Sequence, residues 1–251
     1  NMGLIFENVY YFFKDSMGYD ITFLNSQNVG NNKYDIFIDN LPPNYFAITY
    51  TTSFINQAST SCGSYIKMRN NYNGAAFQNI TELENIKITA AHEVFHAIQF
   101  SYNCYERFWL MEATAVWSED EIYNEINDHY RYMPSWFQNS AKPIDDESSH
   151  MYGSFIFFQY IDEHLGGPES IRRIWENSKN IASSVIFGTL FNKSQILLYS
   201  SVFNPCSTAI FSVTSINLNF VINFQKIMIH LHQIDIYRSF FQGEASCLKH
   251  S

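Results

Sequence analysis

Long apolar runs are missing from this sequence: Asn, Ser or a charged residue interrupts every candidate before it reaches the roughly 18 residues that a membrane span needs. A transmembrane helix is not expected. Basic residues are scarce, 15 Lys and Arg against 24 Asp and Glu, and they form no cluster of the kind a nucleic-acid footprint requires. Nucleic acid is therefore not an expected partner. Charge of either sign is thin, at 16% of residues, while 17 Tyr and 23 Phe supply bulk for a core, a balance that excludes a mainly disordered chain. Cysteine is limited to Cys62, Cys104, Cys206 and Cys247, none in C-x-x-C spacing, which excludes zinc-ribbon and thioredoxin-like chemistry. Their even number allows a Cys62–Cys104 disulfide, against the plainer reading of buried or free thiols. The chain opens at Asn1 with neither an initiator Met nor a basic and apolar leader pattern, as a processed product or a fragment would.

What is present divides by character along the chain. KYDIFIDN (33–40) alternates polar and apolar residues, LPPN marks a turn, and YFAITYTT (45–52) is rich in aromatic and β-branched residues, so two strands are predicted. SCGSYIKMRN (61–70) is a third strand, with Tyr65, Lys67 and Arg69 on one face and Ile66 and Met68 on the other; its charges suggest a sheet edge. Thr81 and Glu84 fit a capping box, and Ile88, Ala91, Phe95 and Ile98 recur at helical spacing up to about Tyr102. A second helical pattern, FWLMEATAVWSEDEIYNEIND, becomes charged after Trp117, which predicts one buried end and one wet end. Residues 134–149 read as a proline-bearing loop, YGSFIFFQYIDEHLGG as a helix stopped by Gly166, Gly167 and Pro168, and ESIRRIWENS as a short amphipathic helix.

Strands first and helices after indicate an α+β fold. The expected organisation is a β-rich part over 1–102 ending in the first long helix, a helical part over 103–183, and a Ser/Asn/Ile/Phe-rich tail over 184–251. Only two acidic residues, Asp235 and Glu244, fall in that tail.

The chemistry concentrates in AAHEVFHAIQF (90–100). Four residues advance a helix by about 400° and 6 Å, so His92 and His96 stand one above the other and both imidazoles can reach one ion. A catalytic zinc takes three protein ligands and leaves a fourth position for water. Glu93, about 100° around the helix, would stand beside that water as general base, which is the H-E-x-x-H arrangement of metalloproteases. The plainer reading is a greasy helix that tolerates two hydrogen-bonded histidines. Burying two histidines and a carboxylate costs several kcal/mol unless something compensates them, about what an unpaired buried polar group costs. Glu112, flanked by Trp109, Leu110, Met111, Ala113, Ala115, Val116 and Trp117, is an unusual setting for a solvated carboxylate and is the best third ligand. Glu119, Asp120 and Glu121 by themselves read as a solvated helix end.

HEVFH followed by WLMEATAVWSE resembles the two-helix signature of gluzincins, the thermolysin-like zinc peptidases whose third ligand is a glutamate. The second segment is similar to the W-L-x-E-G-x-A-x-x-x-E pattern of their aminopeptidase branch, and the run from Thr89 to Tyr123 is similar to a group of uncharacterised secreted bacterial metallopeptidases. The resemblance implies a zincin-like fold, with a twisted mixed sheet and the active-site helix followed by a mostly helical part. It implies His92, His96 and Glu112 as ligands of one Zn2+ and Glu93 as base, with Glu119 behind them orienting a histidine. It also implies a downstream Tyr or His as oxyanion stabiliser: Tyr152 is preferred, with His150, His129 and Tyr130 as alternatives. SCGSYIKMRN would be the edge strand that pairs with substrate. Ala113 replaces the usual glycine after the third ligand, the interval from His96 to Glu112 is shorter than in well-known gluzincins, and no G-x-M-E-N segment lies upstream. The last departure argues against exopeptidase action.

The expectation is a secreted zinc endopeptidase acting on peptide or protein. Its rivals are a non-catalytic peptide- or protein-binding module of zincin fold and a truncated, inactive family member.

Overall fold

The computed structural model describes residues 2–21, 34–54 and 60–179. The tail expected over 184–251 lies outside the described residues, as do Cys206 and Cys247. The architecture is α+β: a helix α1 (Met2–Tyr11), a π-helical turn (Phe12–Ser16), strands β1 (Ile36–Asp39), β2 (Ala47–Phe54) and β3 (Cys62–Arg69), then helices α2 (Glu82–Asn103) and α3 (Phe108–Tyr123). Four shorter helices follow, α4 (Met133–Gln138), α5 (His150–Gly153), α6 (Phe155–His164) and α7 (Pro168–Ser178).

The sheet is mixed, in the order β1-β3-β2, with β1 parallel to β3 (Ile36 opposite Ile66) and β2 antiparallel to it (Tyr50 opposite Tyr65). This corrects the edge position expected for SCGSYIKMRN. β3 is the central strand, and its polar residues mark the outer face of the sheet instead of a free edge. Ile66 and Met68 are fully buried beneath it while Tyr65 and Lys67 are partly exposed, and Lys67 reaches across to Asp39 of β1 at 2.9 Å. Arg69, expected on the outer face with them, is instead buried; its guanidinium lies 4.0 Å from the centre of the Phe77 ring and donates to the Tyr45 and Asn71 carbonyls.

α2 is 22 residues long and packs against β2, β3, α1, α3 and α7. Its start is the capping box expected from the sequence: Thr81 Oγ1 accepts from the Glu84 N–H, and the Thr81 N–H donates to Glu84 Oε2 at 2.8 Å. One hydrophobic core runs from Phe6 to Trp175 and draws on residues on both sides of Tyr102, with Phe95, Ile98, Tyr102 and Trp117 fully buried inside it. The Cys62–Cys104 disulfide is formed; it ties the first residue of β3 to the residue that caps α2.

Two further stretches differ from the sequence reading. The loop expected over 134–149 begins with α4, because Pro134 sits in the first turn of a helix, where its missing N–H costs no hydrogen bond. The charged end of α3 is not a solvated one: Glu119 and Asp120 are only 6% and 8% exposed. α6 packs along α3 and carries Asp162 and Glu163 toward these carboxyls. Burial, with the charge of Glu163 behind it, pushes Asp120 up to about 6.

Candidate metal centre and cleft

α2 supplies two imidazoles to one point, and α3 crosses it with a carboxylate. The His92 and His96 ring centres are 4.6 Å apart and nearly perpendicular. His92 Nε2 lies 3.3 Å from Glu112 Oε2, and His96 Nε2 lies 3.6 Å from Glu112 Oε1. Nitrogen and oxygen ligands bond zinc at about 2.0 to 2.2 Å, and two such bonds at a tetrahedral angle hold their donor atoms roughly 3.3 Å apart. The three residues offer ligand atoms that all lie within 4.8 Å of one another, so two imidazoles and a carboxylate, a donor set that suits a small divalent ion, are gathered where they could hold one. Among the described residues no other group of three His, Cys, Asp or Glu side chains meets that test.

The electrostatics run the same way. Burial opposes a charge on His92, but hydrogen bonds to Glu112 and Glu119 outweigh it and hold a proton on the imidazole well above its usual range. Burial would likewise raise Glu112, yet His96 and then His92 reverse this and hold its carboxyl below the usual carboxylate range. Both directions mean that the two carboxylates favour a positive charge on the imidazole between them.

On the other side of the imidazoles, His92 Nδ1 meets Glu119 Oε1 at 2.7 Å, and His96 Nδ1 meets Gln99 Oε1 at 2.8 Å. Glu119 thus stands where a residue orienting a histidine must stand. Glu93 lines the cleft from α2, and its carboxylate Oε2 accepts from Thr49 Oγ1 of β2 at 2.6 Å. Its side chain is thereby aimed from two elements at once.

The cleft encloses about 530 Å3. α2 lines it with His92, Glu93 and His96, β2 with Ala47, Ile48 and Thr49, and Arg131, Tyr132 and Tyr152 line it from later in the chain. Of the four residues considered as oxyanion stabiliser, only Tyr152 lines it. Its ring stacks on Tyr132 at 5.2 Å, and burial, reinforced by the charge of Glu112, raises its phenol above the usual range and keeps it protonated. His150 is buried, its ring parallel to Trp136 at 5.4 Å. His129 is buried too, 3.7 Å from Asp120, and pushed down to about 4 by desolvation, with Tyr130 against its ring.

Four cleft or near-cleft residues were not singled out from the sequence: Thr49, Gln99, Arg131 and Tyr132. Gln99 could have been found, since it lies three residues beyond His96 on a helix and so shares its face. The other three come from distant segments and have no local signature. β2, and not β3, is the strand beside the cleft: on its side away from β3 it has no strand partner among the described residues.

All of these residues fall within one match. The chain belongs to a family of unknown function (DUF6055), whose profile matches residues 4–187. No curated protein and no solved structure matches it.

Proposed function

We propose that this family member is a zinc-dependent peptidase, with endopeptidase action the reading that suits an open cleft. The observation that carries the proposal is the meeting of His92, His96 and Glu112, with ligand atoms within 4.8 Å of one another, and with Glu93 beside them in the same cleft. A zinc ion held by these three side chains supplies a Lewis acid, which polarises a carbonyl and lowers the pKa of a water to about 7.

The remaining work falls to the chain's own residues. Glu93 takes a proton from the attacking water as its oxygen bonds to the carbonyl carbon, then passes that proton to the departing amine as the C–N bond breaks. Thr49 occupies Glu93 Oε2, which leaves the other carboxylate oxygen for the water. The protonated Tyr152 phenol donates a hydrogen bond to the negative charge that develops on the carbonyl oxygen. An extended peptide adds to β2 by backbone hydrogen bonds, which aligns the scissile bond along the cleft. The Cys62–Cys104 disulfide supports a secreted or otherwise oxidising location.

Metal analysis of the purified protein, followed by a chelator-sensitive assay on a mixed peptide library, tests the reading. Glu93→Gln is expected to retain zinc and lose about 10²- to 10⁴-fold in hydrolysis. His92→Ala, His96→Ala or Glu112→Ala is expected to lose the zinc itself. Zinc without turnover in the wild type would favour a peptide-binding module, and wild-type activity in Glu93→Gln would refute the mechanism.

A further inference from the structure

Gln99 is completely buried one turn beyond His96, and its hydrogen bonds can be assigned without ambiguity. One end of its amide faces α3: it lies 2.8 Å from the Met111 carbonyl oxygen and 3.0 Å from Thr114 Oγ1. A carbonyl oxygen can only accept. The single Thr114 hydroxyl proton goes to the Leu110 carbonyl at 2.7 Å, so this oxygen also accepts, here and from Trp175 Nε1 at 3.2 Å. The end of Gln99 facing α3 must therefore be the NH2 group, which leaves its carbonyl oxygen facing His96 Nδ1 at 2.8 Å. An oxygen there requires an N–H on Nδ1, and a neutral imidazole with its proton on Nδ1 has a bare lone pair on Nε2. Nε2 is the atom that meets Glu112.

We propose that Gln99 is a positioning residue of the metal centre: its NH2 group is anchored by two acceptors on α3, and its amide oxygen sets the tautomer and ring orientation of His96, so that Nε2 is always the ligand atom. The proposal rests on the metal-centre reading above. Glu119 does the equivalent for His92 with a carboxyl group, whereas Gln99 does it with an amide whose direction is fixed by the neighbouring helix. The neutral choice also limits the charge of the site, which already holds Glu93, Glu112 and Glu119.

The test is a zinc titration of the full chain in competition with a chelating indicator, with thermal unfolding of the zinc-free proteins alongside. Gln99→Leu removes the acceptor and both donors and is expected to weaken zinc about 10- to 100-fold, as loss of a group behind a ligand does. Gln99→Glu keeps an acceptor facing Nδ1 while losing the donors to α3. It is expected to lower thermal stability at least as much as Gln99→Leu, yet to hold zinc within about threefold of the wild type. A merely structural role predicts the reverse, with zinc affinity following stability. If Gln99→Leu does not fold, Gln99→Met, of similar length, replaces it. Gln99→Leu binding zinc as tightly as the wild type, or Gln99→Glu weakening it as much as Gln99→Leu, overturns the proposal. A wild type that binds no zinc overturns the metal centre itself, a failure recognisable because no variant is then needed to see it.

Discussion

Thr49 brings a single hydroxyl to the cleft, yet it joins the sheet to the proposed base. A hydrogen bond to a charged group contributes about 1.5 to 3 kcal/mol when its partner would otherwise be left buried and short of a donor. Glu93 is 6% exposed, so little water can take over from the hydroxyl. Thr49→Val should therefore lower kcat roughly 10- to 100-fold with zinc content unchanged, while Thr49→Ser should stay near the wild type. Equal losses in both variants, measured on one peptide substrate, would mean that packing and not the hydroxyl is at work. Residue identity alone shows half of this arrangement. H-E-x-x-H places His92, Glu93 and His96 correctly relative to one another because a helix relates them locally. Thr49 is 44 residues away and has no local pattern to betray it.

At the scale of elements, α2 was legible almost residue by residue, through the Thr81–Glu84 box and the 3.6-residue apolar period. The last turns of α3 were not. Glu119, Asp120 and Glu121 have the composition of a wet helix end, but Glu119 turns inward onto His92 of α2, and α6 packs beside Asp120 and Glu121. That packing has a pH signature. Burial first, and then a hydrogen bond that the protonated Glu121 donates to Asp162, push Glu121 up to about 9. The folded chain thus holds a proton there that the unfolded chain releases near the ordinary glutamate range of about 4.3, so this contribution to stability is lost as pH rises toward 9. Glu121→Gln cannot ionise. Its thermal midpoint should exceed the wild type's at pH 8 and change less between pH 5 and pH 9, roughly the window over which linkage acts. An unchanged pH profile of unfolding would show that Glu121 titrates as an ordinary exposed glutamate. The strands show the same limit: their positions along the chain were readable from alternation, whereas the place of β3 between its neighbours was not.

For the whole molecule, the disulfide is the one covalent long-range constraint among the described residues, and it encloses the central strand β3, the capping box and α2. Closing a loop between residues 42 apart removes chain entropy worth about 4 kcal/mol from the unfolded state. Reduction, or Cys62→Ser with Cys104→Ser, should lower the thermal midpoint by roughly 8 to 16 °C in calorimetry, at about 2 to 4 °C per kcal/mol for a chain of this size. No shift on reduction would mean that the bridge is not formed in the isolated protein. Because both half-cystines flank elements that line or support the cleft, reduction should also loosen zinc, through lost order in α2 and not through any contact with the ligands.

By itself the sequence determined what depends on near neighbours: the helical period that stacks His92 over His96, the cap that starts α2, and the alternation that marks three strands. It also flagged Glu112, since a carboxylate among tryptophans, leucine and alanines needs a partner. Only the tertiary structure decided which distant groups meet: that Glu112 closes on both histidines, that Gln99 and Glu119 stand behind them, that Tyr152 and not His150 enters the cleft, and that β2 is the edge beside it. The difference is physical, because local geometry follows from backbone dihedrals a few residues apart, while these meetings follow from how α2, α3 and the sheet bury their apolar faces together.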